Sequence, residues 1–398
     1  MTDSHSLSAV SVIDLANGLR DPEAVAAAVS ARAAHTLCYG LAGSALLHAC
    51  LADAQTAAAH WNAASLALGN APPDGIHTGP GALATSLIIG TGYLTARGPH
   101  HELVPRATVW LAARAVALAH RQLHYPPDQP TWAVYDSIKG LAGIGRILLA
   151  ACMSGHEAEA GEGLCTTLKA LTSLLLAPNG VRPGWWLPAD AHPDPTRIPP
   201  SGAATTGLAH GVAGPLSLLS IAQLAGQTVP GQTDAVAVAA HWLRKWASTG
   251  PSWPPHISGA DLDTDAAPGA AGGVPGRRTA WCYGEPGIAS ALTHAGRALN
   301  DRASLNMANA ALNNLAADPT RWDAEGTGLC HGTAGLLQVG VRCSPDLAQT
   351  AVKTPGPQAD AAPGFLNGTT GTALAVADHV GLLSHPPLAA WDSILLLS

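Results

Sequence analysis

Apolar residues along this chain recur at helical rather than strand spacing, and seven of the apolar runs open in the same way. Each begins with a glycine, carries a second small residue three places on, and continues into an apolar-rich stretch. The copies read LCYGLAGSALL from Leu37, HTGPGALATSL from His77, IKGLAGIGRILL from Ile138, AHGVAGPLSLL from Ala209, CYGEPGIASAL from Cys282, CHGTAGLL from Cys330 and LNGTTGTALAV from Leu366. Aligned on Gly40, Gly79, Gly140, Gly211, Gly284, Gly332 and Gly368, they form an internal repeat. The second copy departs from the rest, with Ala82 where the others have glycine. Glycines so placed are expected in the first turn of a helix, where backbones approach closely or take unusual angles.

Helices that start there bring the residues just before each glycine to equivalent places. If the repeats close into a ring, Cys38, Tyr39, His77, Lys139, His210, Cys282, Tyr283, Cys330, His331 and Asn367 face a common centre. An inert ring would carry small or apolar residues there. This one carries metal ligands and proton carriers. Between the helical runs, residues 181–202, 250–278 and 354–364 are dense in proline and glycine and read as loops on the same rim. Trp185, Trp186 and Trp253 within them are either packing pegs or platforms for a bound chain.

Composition narrows the picture. The 398 residues are 47% hydrophobic and 12% charged, which suits one large all-helical domain over 1–398 with a core of short side chains. A net charge of −7 gives no reason to expect a nucleic-acid partner. The N-terminal stretch has no export signal and no apolar run is long enough to cross a membrane, so a cytoplasmic protein is expected. Seven cysteines then read as reduced thiols or metal ligands rather than disulfides.

The strongest chemical signal is Cys282, Cys330 and His331. Zinc takes thiolate and imidazole ligands, and three of them leave a fourth position open. Two thiolates offset the charge of the ion, so such a site activates a substrate thiol more readily than water. No C-x-x-C pair supports a structural finger. Cys38 holds a comparable place but reads as a buried structural cysteine rather than a fourth ligand. A zinc dehydrogenase would need a G-x-G-x-x-G after a strand, and a glycosidase a working pair of carboxylates, where only Asp136 and Glu285 lie near the repeat starts.

With these residues in place the chain resembles the lanthipeptide synthetase cyclases, the LanC family. WCYGEPG from Trp281, CHGTAG from Cys330, AHGVAG from Ala209, YDSIKGLAGIG from Tyr135 and GFLNGTTGTALAV from Gly364 look like that family's signatures. The resemblance implies an all-α, α/α toroid of about seven hairpins, with seven inner and seven outer helices. It implies one zinc per chain on Cys282, Cys330 and His331, with His210, Asp136, Arg278 and Tyr283 as the catalytic set. The implied reaction joins cysteine thiols of a precursor peptide to dehydroalanine or dehydrobutyrine, forming thioether rings. The implied partners are the dehydrated peptide with its leader and a separate dehydratase, in a membrane-associated complex with an exporter.

The residues suit that chemistry on their own terms. Thiolate addition leaves an enolate that needs a proton, and an imidazole such as His210 is suited to deliver it. Asp136 would orient the imidazole and Arg278 would stabilise the enolate oxygen. The structural alternatives are a helix-start hydrogen bond for His210, a helix cap for Asp136 and a surface charge for Arg278. At the level of function, glutathione addition to dehydroamino acids in proteins and a non-catalytic zinc scaffold that binds a peptide compete with the cyclase.

Overall fold

Each apolar run of the repeat becomes a helix covered on every side: all of Leu41–Cys50 is buried, as is nearly all of Leu141–Met153. Such helices sit in the middle of a helical assembly and need close neighbours. Glycine and alanine supply the room; a Cβ on Gly163 would lie 2.7 Å from Ala112 Cα, and one on Gly340 would lie 2.7 Å from Ala348 Cα. The computed structural model describes residues 9–124, 132–177, 180–192, 194–248, 250–265, 279–354, 362–384 and 388–398.

In chain order the helices are α1 (Ala9–Gly18), α2 (Pro22–Ala27), α3 (Leu41–Cys50), α4 (Ala54–Leu68), α5 (Gly79–Gly90), α6 (Val104–His124), α7 (Trp132–Tyr135), α8 (Leu141–Met153) and α9 (Glu157–Leu176). They continue with α10 (Ala213–Leu224), α11 (Gln232–Lys245), α12 (Gly259–Thr264), α13 (Glu285–Leu299), α14 (Arg302–Ala317), α15 (Thr333–Cys343), α16 (Pro345–Lys353) and α17 (Thr369–His379). The repeat helices α3, α5, α8, α10, α13, α15 and α17 pack each on the next, and α17 returns onto α3. Outside them α4, α6, α9, α11, α14 and α16 each cover the inner helix just before them, while α1 covers α17. The expected toroid of seven inner and seven outer helices is present, with the last hairpin completed by the first helix of the chain.

Why the second glycine of each repeat is required follows from its surroundings. A Cβ there would meet the carbonyl six residues upstream: Leu37 O at 2.7 Å from Gly43, Leu208 O at 2.7 Å from Gly214, and still closer for Gly143, Gly287, Gly335 and Gly371. In the second repeat the residue in that relation is Gly81, against Gly75 O. The alignment on Gly79 is therefore one residue late. Thr78 caps α5 as Gly40, Gly140, Gly284, Gly332 and Gly368 cap their helices, and Ala82 is no departure. Gly79 has a reason of its own, a φ of 59°.

The loops ahead of the inner helices are stitched into a closed circle by backbone hydrogen bonds. Cys38 N donates to His77 O, Ile76 N to Ile138 O, Ser137 N to Ala209 O, Ala209 N to Cys282 O, Cys282 N to Cys330 O, Cys330 N to Leu366 O, and Phe365 N to Leu37 O. This satisfies buried backbone groups where the helices themselves do not reach. Below the circle the residues from Trp391 to Leu397 are buried against the inner helices. Trp281 Nε1 donates to Leu395 O at 2.9 Å and Arg342 Nε to Asp392 at 2.6 Å. Burial alone would push the Asp392 carboxyl up, but Arg342 holds it below the ordinary range.

The proline-rich stretches depart from the expected plain loops. They contain two short strands, β1 (Trp186–Leu187) and β3 (His256–Ser258), which pair antiparallel with β2 (Ala203–Thr205) between them, just past the first stretch, and α12, capped by Ser258 Oγ on Asp261 N. Strands this brief fit between prolines, which is why periodicity does not reveal them. Trp185 and Trp253 are packing pegs: the first lies edge-on to Trp242 at 5.2 Å, and the second donates to Leu243 O. Trp186 lies under Arg182 at 4.3 Å. Positions 355–361 of the third stretch lie outside the described residues. Among the described residues no helix is long and apolar enough to cross a membrane.

Candidate metal centre

The residue just before each helix cap occupies one rung of the circle: Tyr39, His77, Lys139, His210, Tyr283, His331 and Asn367. One place further back stand Cys282 and Cys330, in adjacent repeats whose loops are tied directly together by Cys282 N and Cys330 O. Short helix-start loops on a closed ring leave these side chains little freedom. They bring the ligand atoms of Cys282, Cys330 and His331 within 4.8 Å of one another, as the sequence pattern predicts. Cys282 Sγ lies 3.3 Å from His331 Nδ1, so this nitrogen faces the sulfurs. The carbonyl of His331 accepts from Glu325 N at 2.7 Å, which fixes the loop from the other side.

Electrostatics in the cluster favour a thiolate. The hydrogen bond with Cys330 draws the Cys282 thiol well below the ordinary thiol range; burial opposes this, and His331 adds to the lowering. Cys38 behaves in the opposite way. Burial, with Asp74 nearby, pushes it up to about 12, and it stands apart from the cluster. As a neutral, buried thiol its role is packing.

His210 and Asp136 come together across the next seam. His210 Nδ1 faces Asp136 Oδ2 at 2.7 Å, and the other oxygen, Oδ1, accepts from the backbone of Lys139 and Gly140 at 2.7 Å each. The fully buried carboxylate thus ties down the loop that leads into α8 and orients the imidazole at once; it is not a helix cap in the strict sense, since the N-cap of α8 is Gly140 and no side chain caps it. Trp132 meets the imidazole edge-on at 4.4 Å and Tyr283 lies 5.9 Å from it. Gly207 leaves room for Tyr283, since a Cβ there would stand 2.7 Å from the phenol ring. Arg278 lies outside the described residues. His77 is fully buried, and burial, then the charge of His210, lowers it to about 3; it stays neutral and takes no part in proton exchange at neutral pH.

Sequence reasoning misses a further pair. Four places before the cap stand Thr36, Asp74, Asp136, Gly207, Ala280, Gly328 and Gly364 in the seven repeats. Asp74 is the counterpart of Asp136, and it holds Lys139 at 2.8 Å as Asp136 holds His210. The one-residue error in the second repeat conceals this equivalence; aligning on Gly81 would have exposed it.

Residues 23–354 match the family described as lanthionine synthetase C-like protein. No curated protein matches the chain in sequence. Among solved structures it is similar to one titled nisin cyclase, with 18% identity over 98% of this chain and 97% of that one and a TM-score of 0.77. At that identity the likeness speaks for the fold.

Proposed function

The chain belongs to the lanthionine synthetase C-like family, and on that premise we propose that it is a zinc-dependent lanthipeptide cyclase. It would act in the cytoplasm on a dehydrated precursor peptide with its leader, supplied by a separate dehydratase in a membrane-associated complex with an exporter. The reading rests on one observation: a Cys–Cys–His cluster with a depressed thiol, next to an imidazole oriented by a buried carboxylate. The donor set fits zinc, with soft sulfurs, one imidazole nitrogen and convergence from two repeats. Bound there, the ion would supply a site where a substrate thiol is held as a reactive thiolate at neutral pH.

The chain's own groups account for the rest. With Nδ1 engaged by Asp136, His210 presents Nε2 for proton exchange: it takes the proton of the incoming thiol and returns one to the α-carbon of the enolate. Asp136 keeps the ring in one tautomer and orientation, while its second oxygen locks it to the loop that opens α8. Tyr283 flanks the imidazole on the metal side, and Arg278 is the proposed donor to the enolate oxygen. A scaffold would have no use for an oriented proton carrier, which favours catalysis.

Intramolecular addition changes no mass, so the test is a dehydrated, cysteine-containing peptide incubated with enzyme, with and without glutathione. Unchanged mass together with loss of alkylatable thiols is expected. A mass gain that requires glutathione would instead establish glutathione addition, and no change of either kind would leave only the scaffold.

A further inference from the structure

We propose that Lys139, held by Asp74 one seam along the circle of helix starts from the His210–Asp136 pair, is a second substrate-contacting group; this rests on the cyclase reading. At the place four residues before the cap, the last four repeats carry glycine or alanine. The reason is steric. A Cβ on Gly207 would stand 2.6 Å from Cys282 O, and one on Gly328 would stand 2.8 Å from Asn367 Cα, so a larger side chain there must displace the neighbouring repeat. Carboxylates occur only on two seams, and on both the next repeat offers a basic side chain just before its cap: Lys139 opposite Asp74, His210 opposite Asp136.

Stability does not explain the first pair. Lys139 and Asp74 are each 40% exposed, and ion pairs so open to solvent contribute little to stability. What the pair does is hold an ammonium group at one place on the rim, against a residue whose backbone is fixed by Thr78 Oγ1, which donates to the Asp74 main-chain carbonyl at 2.8 Å. Along the circle of helix starts the order is then the Cys–Cys–His cluster in the fifth and sixth repeats, His210 in the fourth and Lys139 in the third. A dehydroamino acid laid along it would have its β-carbon toward the sulfur and its α-carbon at His210. The carbonyl attached to the α-carbon would then point to Lys139.

In the reaction the thiolate electron pair forms the C–S bond at the β-carbon, and the π pair of the alkene moves onto the α-carbon and its carbonyl oxygen. His210 then gives its proton to the α-carbon. Lys139 keeps all of its protons and donates a hydrogen bond to that oxygen, strongest when the oxygen carries the enolate charge.

Ring-closure kinetics of Lys139→Met, Lys139→Arg and Asp74→Asn, with zinc content and unfolding midpoint measured on the same samples, test this. Lys139→Met should lower kcat about tenfold or more at nearly constant KM, with zinc and unfolding midpoint unchanged. Lys139→Arg should recover part of the loss, and Asp74→Asn should show a smaller fall in kcat because the ammonium remains but is no longer held. Undiminished kcat in Lys139→Met, a change confined to KM, or a loss matched by lost zinc or a lowered midpoint would overturn the assignment while the wild type closes rings. A wild type that closes none overturns the cyclase reading, and this one with it.

Discussion

Cys282, Cys330 and Cys38 stand in equivalent places of three repeats, yet their surroundings shift Cys282 and Cys38 in opposite directions. Cys282 is drawn toward the thiolate by Cys330 and His331, whereas Cys38 is held neutral by burial and the nearby Asp74. In metal-free protein, the ultraviolet absorbance of thiolate should therefore contain a component with its midpoint well below the ordinary thiol value of about 8.5, and Cys282→Ala should remove it. Because a metal competes with protons for this sulfur, zinc should be retained at neutral pH and released as the pH falls. A lowest midpoint at or above the ordinary value would contradict the electrostatic description of the site. The convergence of Cys282, Cys330 and His331 was legible in the sequence because repeat position, not spacing, brings the three residues together. The double duty of Asp136 was not, since sequence offered capping and orientation as alternatives, while one carboxylate oxygen orients His210 and the other holds the loop ahead of α8.

At the scale of the element, the start of each inner helix is the unit that recurs. Its second glycine is fixed by contact with a carbonyl six residues upstream, which the sequence does not print, and so the second repeat was read one residue late. The correction makes a sharp distinction between neighbours. Gly81→Ala should destabilise the protein by about 2 kcal/mol or more, because its Cβ has to displace the Gly75 backbone. Ala82→Gly, in the same buried turn, should cost about 1 kcal/mol. Urea unfolding of the two variants decides the register, and a larger cost for Ala82→Gly would restore the alignment on Gly79. The short strands of the rim escaped for a different reason, being too brief for a period to develop.

Across the whole molecule, the count of hairpins followed from the repeats, because the helix starts and their apolar runs are local, while their closure was implied by the family resemblance alone. What closes the structure was hidden. That α1 covers α17, and that Arg146 donates to Ser398 while Trp281 donates to Leu395, depends on contacts between distant parts of the chain that no local pattern encodes. The last of these supports the residue next to Cys282 from below, so ring closure and site geometry are one problem. The central claim is that the ring assembles a metal site and a separate proton carrier for thiol addition. Zinc content and ring closure of a dehydrated peptide, measured together for wild type, Cys330→Ala and His210→Asn, test it most directly. Wild type should hold one zinc per chain and close rings, Cys330→Ala should lose both, and His210→Asn should keep zinc but slow roughly a hundredfold. Full zinc in Cys330→Ala, or wild-type closure by His210→Asn, would contradict it.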